Sequence, residues 1–282
     1  MSSKYEAPQE VRELERQIRD FSFRHGLNTS NVLHDLLLYI IHNFSLPDTP
    51  TIKHWPYTPE QIRAFYEMFT AWVEIMKRQI ARHGFYDAFG DLFMALNPQR
   101  ELQRQGQFLT PEEIADLCQR IVSDHGRKVN ALYDPAAGSG RMLIASRTYH
   151  PRSYLVGWDI DYTCCLMCVC NFLINSCVGE VACINTISMG DFRGAWLVNE
   201  AYYRTGCPPS AGWTSRSTPV ITWQISLRTS SFSTAKAMTT TSGGARRGCK
   251  FRPCAGTGHD RRQTRPRRRP QGTKQKRTIL KT

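Results

Sequence analysis

Between residues 129 and 191 short β-rich runs alternate with helical ones, and this alternation constrains the fold more than any other feature. Val129–Tyr133, Tyr154–Trp158 and Val181–Ile187 predict strands, and Gly138–Tyr149 and Asp161–Ser176 predict helices between them. A strand–helix–strand–helix–strand order implies right-handed crossovers and a parallel sheet. Ligands of such sheets bind beyond the carboxyl ends of the strands. Asp134, Asp159 and Asp191 each fall at one of those ends.

The first strand runs into Asp134-Pro135-Ala136-Ala137-Gly138-Ser139-Gly140, and a helix follows. Glycines there let the backbone turn tightly and approach a ligand, and the helix start presents unpaired N–H groups. The spacing is neither the dinucleotide G-x-G-x-x-G nor the phosphate-cradling G-x-x-x-x-G-K-S/T, and it is not the G-x-S-x-G elbow of hydrolases. An acid just before the turn suits a ligand with a cationic amino acid end, the role expected of Asp134. A carboxylate at the tip of the next strand can accept from both hydroxyls of a ribose, the role expected of Asp159. S-adenosylmethionine combines these features. The plainer alternative is a tight strand–helix turn with no ligand and a solvent-facing Asp.

Residues 8–98 read as helical. Thr58-Pro59-Glu60-Gln61 has the form of a capping box with proline in the first turn, and Ile62, Phe65, Phe69, Trp72, Val73, Ile75, Met76 and Ile80 follow at three- and four-residue spacing. Five of the ten cysteines lie within the 14 residues Cys164–Cys177. They sit in an apolar helix rather than in paired knuckles, so packing is expected in place of zinc or disulfides. No apolar run reaches the ~18–20 residues of a membrane span. With no apolar signal core at the N-terminus, the expected location is the cytoplasm, with thiols reduced.

Four segments in order resemble the adenine-N6 DNA methyltransferases, especially the modification subunits of type I restriction systems. Gly106-Gln107-Phe108-Leu109-Thr110-Pro111 is similar to that family's G-Q-F/Y-Y/F-T-P, and Asp134–Gly140 to its D-P-x-x-G-S-G. Gly157-Trp158-Asp159 with Asn171 is similar to its G-x-E…N-L, with Asp where Glu is commoner, and Met189-Gly190-Asp191 to its G-D. The resemblance implies an α/β, Rossmann-like S-adenosylmethionine-dependent methyltransferase sheet, incomplete here, preceded by a helical domain. It implies a helical domain over 1–100, a partial methyltransferase core over 101–215 and a separate tail over 216–282. It also implies a cofactor site in which Phe108, Thr110 and Pro111 border the methionine end. Asp134, Ala136, Gly138, Ser139 and Gly140 hold the methionine moiety, Asp159 holds the ribose, and Asp191 approaches the adenine. The implied partners are DNA and a specificity subunit, with no membrane. Thr110-Pro111-Glu112-Glu113 reads at the same time as a capping box for a helix to Val122.

The family's N/D-P-P-Y/F motif, which holds the amine and stacks on the extruded base, has no good counterpart. Cys207-Pro208-Pro209-Ser210 is the one candidate in range, and a thiol and a hydroxyl replace the acceptor and the ring. The catalytic residues are therefore unknown. The globular pattern is lost in the same region. Residues 216–282 hold 17 Lys+Arg against one acid, a net charge of +16, whereas residues 1–215 carry −3. Such a composition predicts disorder, and arises either from a shift of reading frame near residues 200–220 or from a natural basic tail. Two functions remain: an adenine-specific DNA methyltransferase weakened by the missing motif, and a non-catalytic DNA-binding protein that keeps the fold.

Overall fold

Thr58 starts the longest helix, α3 (Pro59–His83), with a complete capping box: its side chain accepts from Gln61 N, and the Gln61 side chain accepts from Thr58 N. The stripe Phe65, Met68, Trp72, Ile75 and Met76 is buried, and Trp72 stacks on Phe89 at 4.9 Å. In the computed structural model the described residues are 5–45, 55–97, 102, 107–123, 129–199 and 225–227. They belong to a unit that runs Met1–Ser233. The run Cys207–Ser210 lies outside the described residues, as does the basic segment apart from Ile225–Leu227.

Around α3 pack α1 (Arg12–His25), α2 (Thr29–Phe44) and α4 (Ala88–Leu96). Helix α2 is capped by Asn28, which accepts from Ser30 N, and α4 by Asp87, which accepts from Gly90 N. Helix α5 (Glu112–Val122) precedes the sheet. The expected Thr110 cap is not formed. Helix α5 begins one residue later than such a box requires, with Pro111 as the extended residue before it, and the Thr110 carbonyl turns instead to Arg141.

The strands are β1 (Ala131–Asp134), β2 (Tyr154–Asp159), β3 (Gly179–Asn185), β4 (Gly190–Val198) and β5 (Ile225–Leu227), in the spatial order β1-β2-β3-β4-β5. Between the first three run α6 (Arg141–Ser146) and α7 (Tyr162–Ile174). Pairs β1/β2 and β2/β3 are parallel, as the alternation requires. The fold is the expected helical region with an incomplete Rossmann-like sheet. The sheet is mixed rather than wholly parallel, because β3 ends at Asn185 and the chain returns antiparallel as β4. Asp191 is therefore the second residue of β4, not the end of β3.

Helix α7 is buried on every side, in contact with α2 and α4 as well as β2–β4. Cys164, Cys165, Cys168 and Cys170 are core residues and free thiols. Burial pushes the pKa of Cys168 and Cys170 well up. Among the described residues no helix is long and apolar enough to cross a membrane.

Candidate functional site

Asp134 and Asp159 end the adjacent parallel strands β1 and β2, and the register pairs Asp134 with Gly157. The loop between β1 and α6 folds back over this pair of tips. Asp134 Oδ1 accepts from Ala136 N at 3.0 Å, Ala137 N donates to Trp158 O at 2.9 Å, and Gly140 N closes a turn to Ala137 O at 2.7 Å. Gly138 N donates to Asp159 Oδ2 at 2.8 Å, and Asp161 N donates to Asp159 Oδ1 at 2.8 Å. Both oxygens of Asp159 thus hold backbone, one on each side of β2. Each oxygen keeps a second lone pair for a ligand.

Two glycines make this loop possible. Gly138 and Gly140 lie at φ +54 and +80, in the left-handed region. A Cβ at Gly140 would stand 2.6 Å from Cys168 Sγ, so α7 lies directly beneath the loop. Leu109 covers it on another side, its Cδ2 2.8 Å from where a Gly138 Cβ would be.

Burial raises the pKa of Asp134. The Ala136 N–H lowers it in part, and the nearby Asp159 raises it further. Among the described residues Asp134 Oδ2 accepts no hydrogen bond. A desolvated carboxylate of this kind gains most from a cationic partner.

The segment before α5 reaches the loop through Leu109 and through the Thr110 carbonyl, which accepts from Arg141 Nη1 at 3.1 Å. Phe108 is 68% exposed beside them in sequence. Pro111 lines a different space, a cleft of about 670 Å³ bounded also by Tyr5, His83, Tyr86, Glu112 and Arg141. Asp134 and Asp159 do not line that cleft. There burial pushes the Glu112 carboxyl up to about 7; Arg141 opposes the shift, and Asp91, Asp87 and Glu113 add to it. Asp191 is exposed, at φ +54, and among the described residues no hydrogen bond or ion pair joins it to the loop.

Beneath the loop is a buried polar group that the sequence does not announce. Arg141, 7% exposed in its side chain, pairs with Asp87 through Nε at 2.8 Å and with Asp91 through Nη2 at 2.7 Å. Desolvation would lower the pKa of Arg141, but Asp87 and Asp91 outweigh it and the pKa is raised. Tyr86 donates to Asp91 Oδ2 at 3.0 Å. Asn171, singled out in the sequence, donates to Ser139 O at 2.8 Å and so lies under the loop. One signal was present for the rest. Arg141 heads an otherwise apolar run, Met142-Leu143-Ile144-Ala145, and a cation buried there requires acids from elsewhere in the chain.

Residues 82–192 match the family model described as N-6 DNA Methylase. No curated protein matches the chain. Among solved structures, the type I restriction-modification system methyltransferase subunit from Streptococcus thermophilus is similar at 17% identity and a TM-score of 0.28. That match covers 62% of this chain and 39% of the other, so the chain spans well under half of that subunit.

Proposed function

With residues 82–192 belonging to the N-6 DNA methylase family, we propose that the Asp134–Gly140 loop and Asp159 hold S-adenosylmethionine for transfer to adenine N6 in DNA. One observation carries this reading: two carboxylates at neighbouring strand tips, joined by a glycine loop whose amide is fixed on the second. The residues present fit the cofactor. Asp134, desolvated and with an oxygen to spare, matches the methionine ammonium. The free lone pairs of Asp159 match the ribose hydroxyls. Phe108 and Thr110 border that end, with Leu109 packed on the loop; Pro111, which lines the separate cleft, is left out of the site, and Asp191 serves the adenine. When bound, the cofactor supplies an activated methyl group. The chain's own residues bind and orient it.

In this reading the protein works on DNA in the cytoplasm beside a specificity subunit. It transfers little or no methyl by itself, because Cys207-Pro208-Pro209-Ser210 offers neither an amide or carboxylate acceptor nor a ring. That same feature favours the second reading, a non-catalytic DNA-binding protein that keeps the fold. Titration calorimetry with S-adenosylmethionine, run beside tritiated methyl transfer to unmethylated DNA, tests both. Saturable binding with negligible transfer is expected. No binding by the folded chain would end the cofactor reading. Robust transfer lost in Asp134→Ala would end the claim that the motif is missing.

A further inference from the structure

Asp87 caps α4, a task that needs one hydrogen bond, yet it is fully buried and its carboxylate takes four donors from three places in the fold. Its Oδ1 accepts from Gly90 N at 2.7 Å and from Asn171 Nδ2 at 2.7 Å. Its Oδ2 accepts from Arg141 Nε at 2.8 Å and from the Ser139 hydroxyl. Its backbone carbonyl accepts from Arg141 Nη2 at 3.2 Å. The partners stand 52, 54 and 84 residues away along the chain. All the space around the carboxylate is committed: a Cβ at Gly90 would lie 2.2 Å from Asp87 Oδ2 and 2.8 Å from Arg141 Nη2. Position 90 therefore tolerates no side chain without dismantling the group.

The three pieces of the proposed cofactor site converge on this group. Ser139 of the loop is held twice, by its hydroxyl on Asp87 and by its carbonyl on Asn171. Arg141 carries the Thr110 carbonyl of the covering segment. Asn171 belongs to α7, the helix that follows Asp159. The loop is thus tied to the strand tips through Ala137 on Trp158 and Gly138 on Asp159, and to the buried group through Ser139 on Asp87 and Asn171. An unpaired buried carboxylate is costly, so the network is expected to hold one geometry rather than many.

We infer that Asp87 is a positioning residue. From the helical part of the molecule it sets the conformation of the Asp134–Gly140 loop before any cofactor arrives, and thereby sets the cofactor's affinity. It acts through Ser139 and Arg141. The part that concerns affinity rests on the S-adenosylmethionine reading, while the part that concerns loop order stands without it.

The experiment uses the full chain, with variants Asp87→Asn and Ser139→Ala, and Val32→Ala as a core control that makes no hydrogen bond to the network. Amide hydrogen exchange is measured without cofactor at Ala137, Gly138, Gly140 and Ile144, which are hydrogen-bonded in and after the loop, and at Leu155 in β2. Cofactor affinity is then titrated on the same proteins. Asp87→Asn should speed exchange in the loop by about tenfold or more relative to Leu155, and should weaken cofactor binding by a similar factor, the scale of a lost charge-assisted hydrogen bond. Ser139→Ala should do the same to a smaller degree and carries the test if Asp87→Asn does not fold. Val32→Ala should shift all these amides together and leave affinity unchanged. Loop exchange that only follows Leu155 in both network variants would overturn the inference. If the parent protein binds no cofactor but the loop loosens selectively, the cofactor reading fails and the positioning role stands. Selective loosening with unchanged affinity would overturn the link to binding.

Discussion

The amide of Gly138 and the carboxylate of Asp159 meet at 2.8 Å, so the residue proposed to bind the ribose also anchors the glycine loop. A substitution at Asp159 therefore removes the proposed ligand contact and a structural tie together.

Asp159→Ala should weaken S-adenosylmethionine binding at least tenfold, since each lost charge-assisted hydrogen bond is worth ~1.5–3 kcal/mol. Asp159→Asn keeps one acceptor oxygen and should lie between that variant and the parent. Calorimetric titration of the three proteins checks the order. Equal affinity in all three would remove Asp159 from the site.

Gly140→Ala should destabilise the fold through two separable effects. Its φ of +80 strains any L side chain by about 1 kcal/mol, and a methyl 2.6 Å from Cys168 Sγ adds overpacking of about 1–3 kcal/mol. Cys168→Ala in the same chain should relieve the second effect and leave the first. Urea unfolding of the two single variants and the double variant measures the coupling, and simple additivity would contradict the contact.

Arg141→Met should cost about 3–5 kcal/mol, because it leaves Asp87 and Asp91 buried without their cation. Chemical denaturation at neutral pH measures it. The raised pKa of Asp91, set by burial and held down in part by Arg141, adds a sign. The variant should recover part of its loss as pH falls and the orphaned Asp91 takes up a proton.

Glu112 gives the opposite pH signature to that of an ordinary paired carboxylate. Its folded pKa of about 7 lies above the usual 4.5, so the folded state binds the proton more tightly than the unfolded one. Stability is thus lost as pH rises from about 4.5 through 7. Glu112→Gln should stabilise the fold at pH 8 by on the order of 1 kcal/mol once partial exposure is allowed for, read as a raised thermal midpoint. Near pH 5 the gain should shrink. A gain independent of pH would show that Glu112 is not the group responsible.

The parts of the fold that depend on neighbours in sequence were legible. Strands β1 and β2 ended at the acids that close them, Thr58 capped α3 as its spacing required, and the loop glycines made the tight turn expected of them. The return of β4 was not legible. A parallel crossover is announced by a helix between strands, whereas β3 turns into β4 through four residues, Thr186–Met189, which leave no periodic trace. Thr110 misled because a capping box is a local pattern, while its carbonyl is fixed by Arg141, 31 residues away. The same reason hid Asp87. Its sequence surroundings specify a helix cap, and only folding brings Ser139, Arg141 and Asn171 to it.

The cysteines of α7 make that helix a clock for its own exposure. Cys164, Cys168 and Cys170 are sealed in the core with their thiols held protonated, so an alkylating reagent has no thiolate to attack until the segment leaves its neighbours. Cys118, half-exposed on α5, is open to the reagent without that step. The lag between modification of Cys118 and of the α7 thiols therefore reports how often the floor beneath the glycine loop opens, read from the mass each alkylation adds.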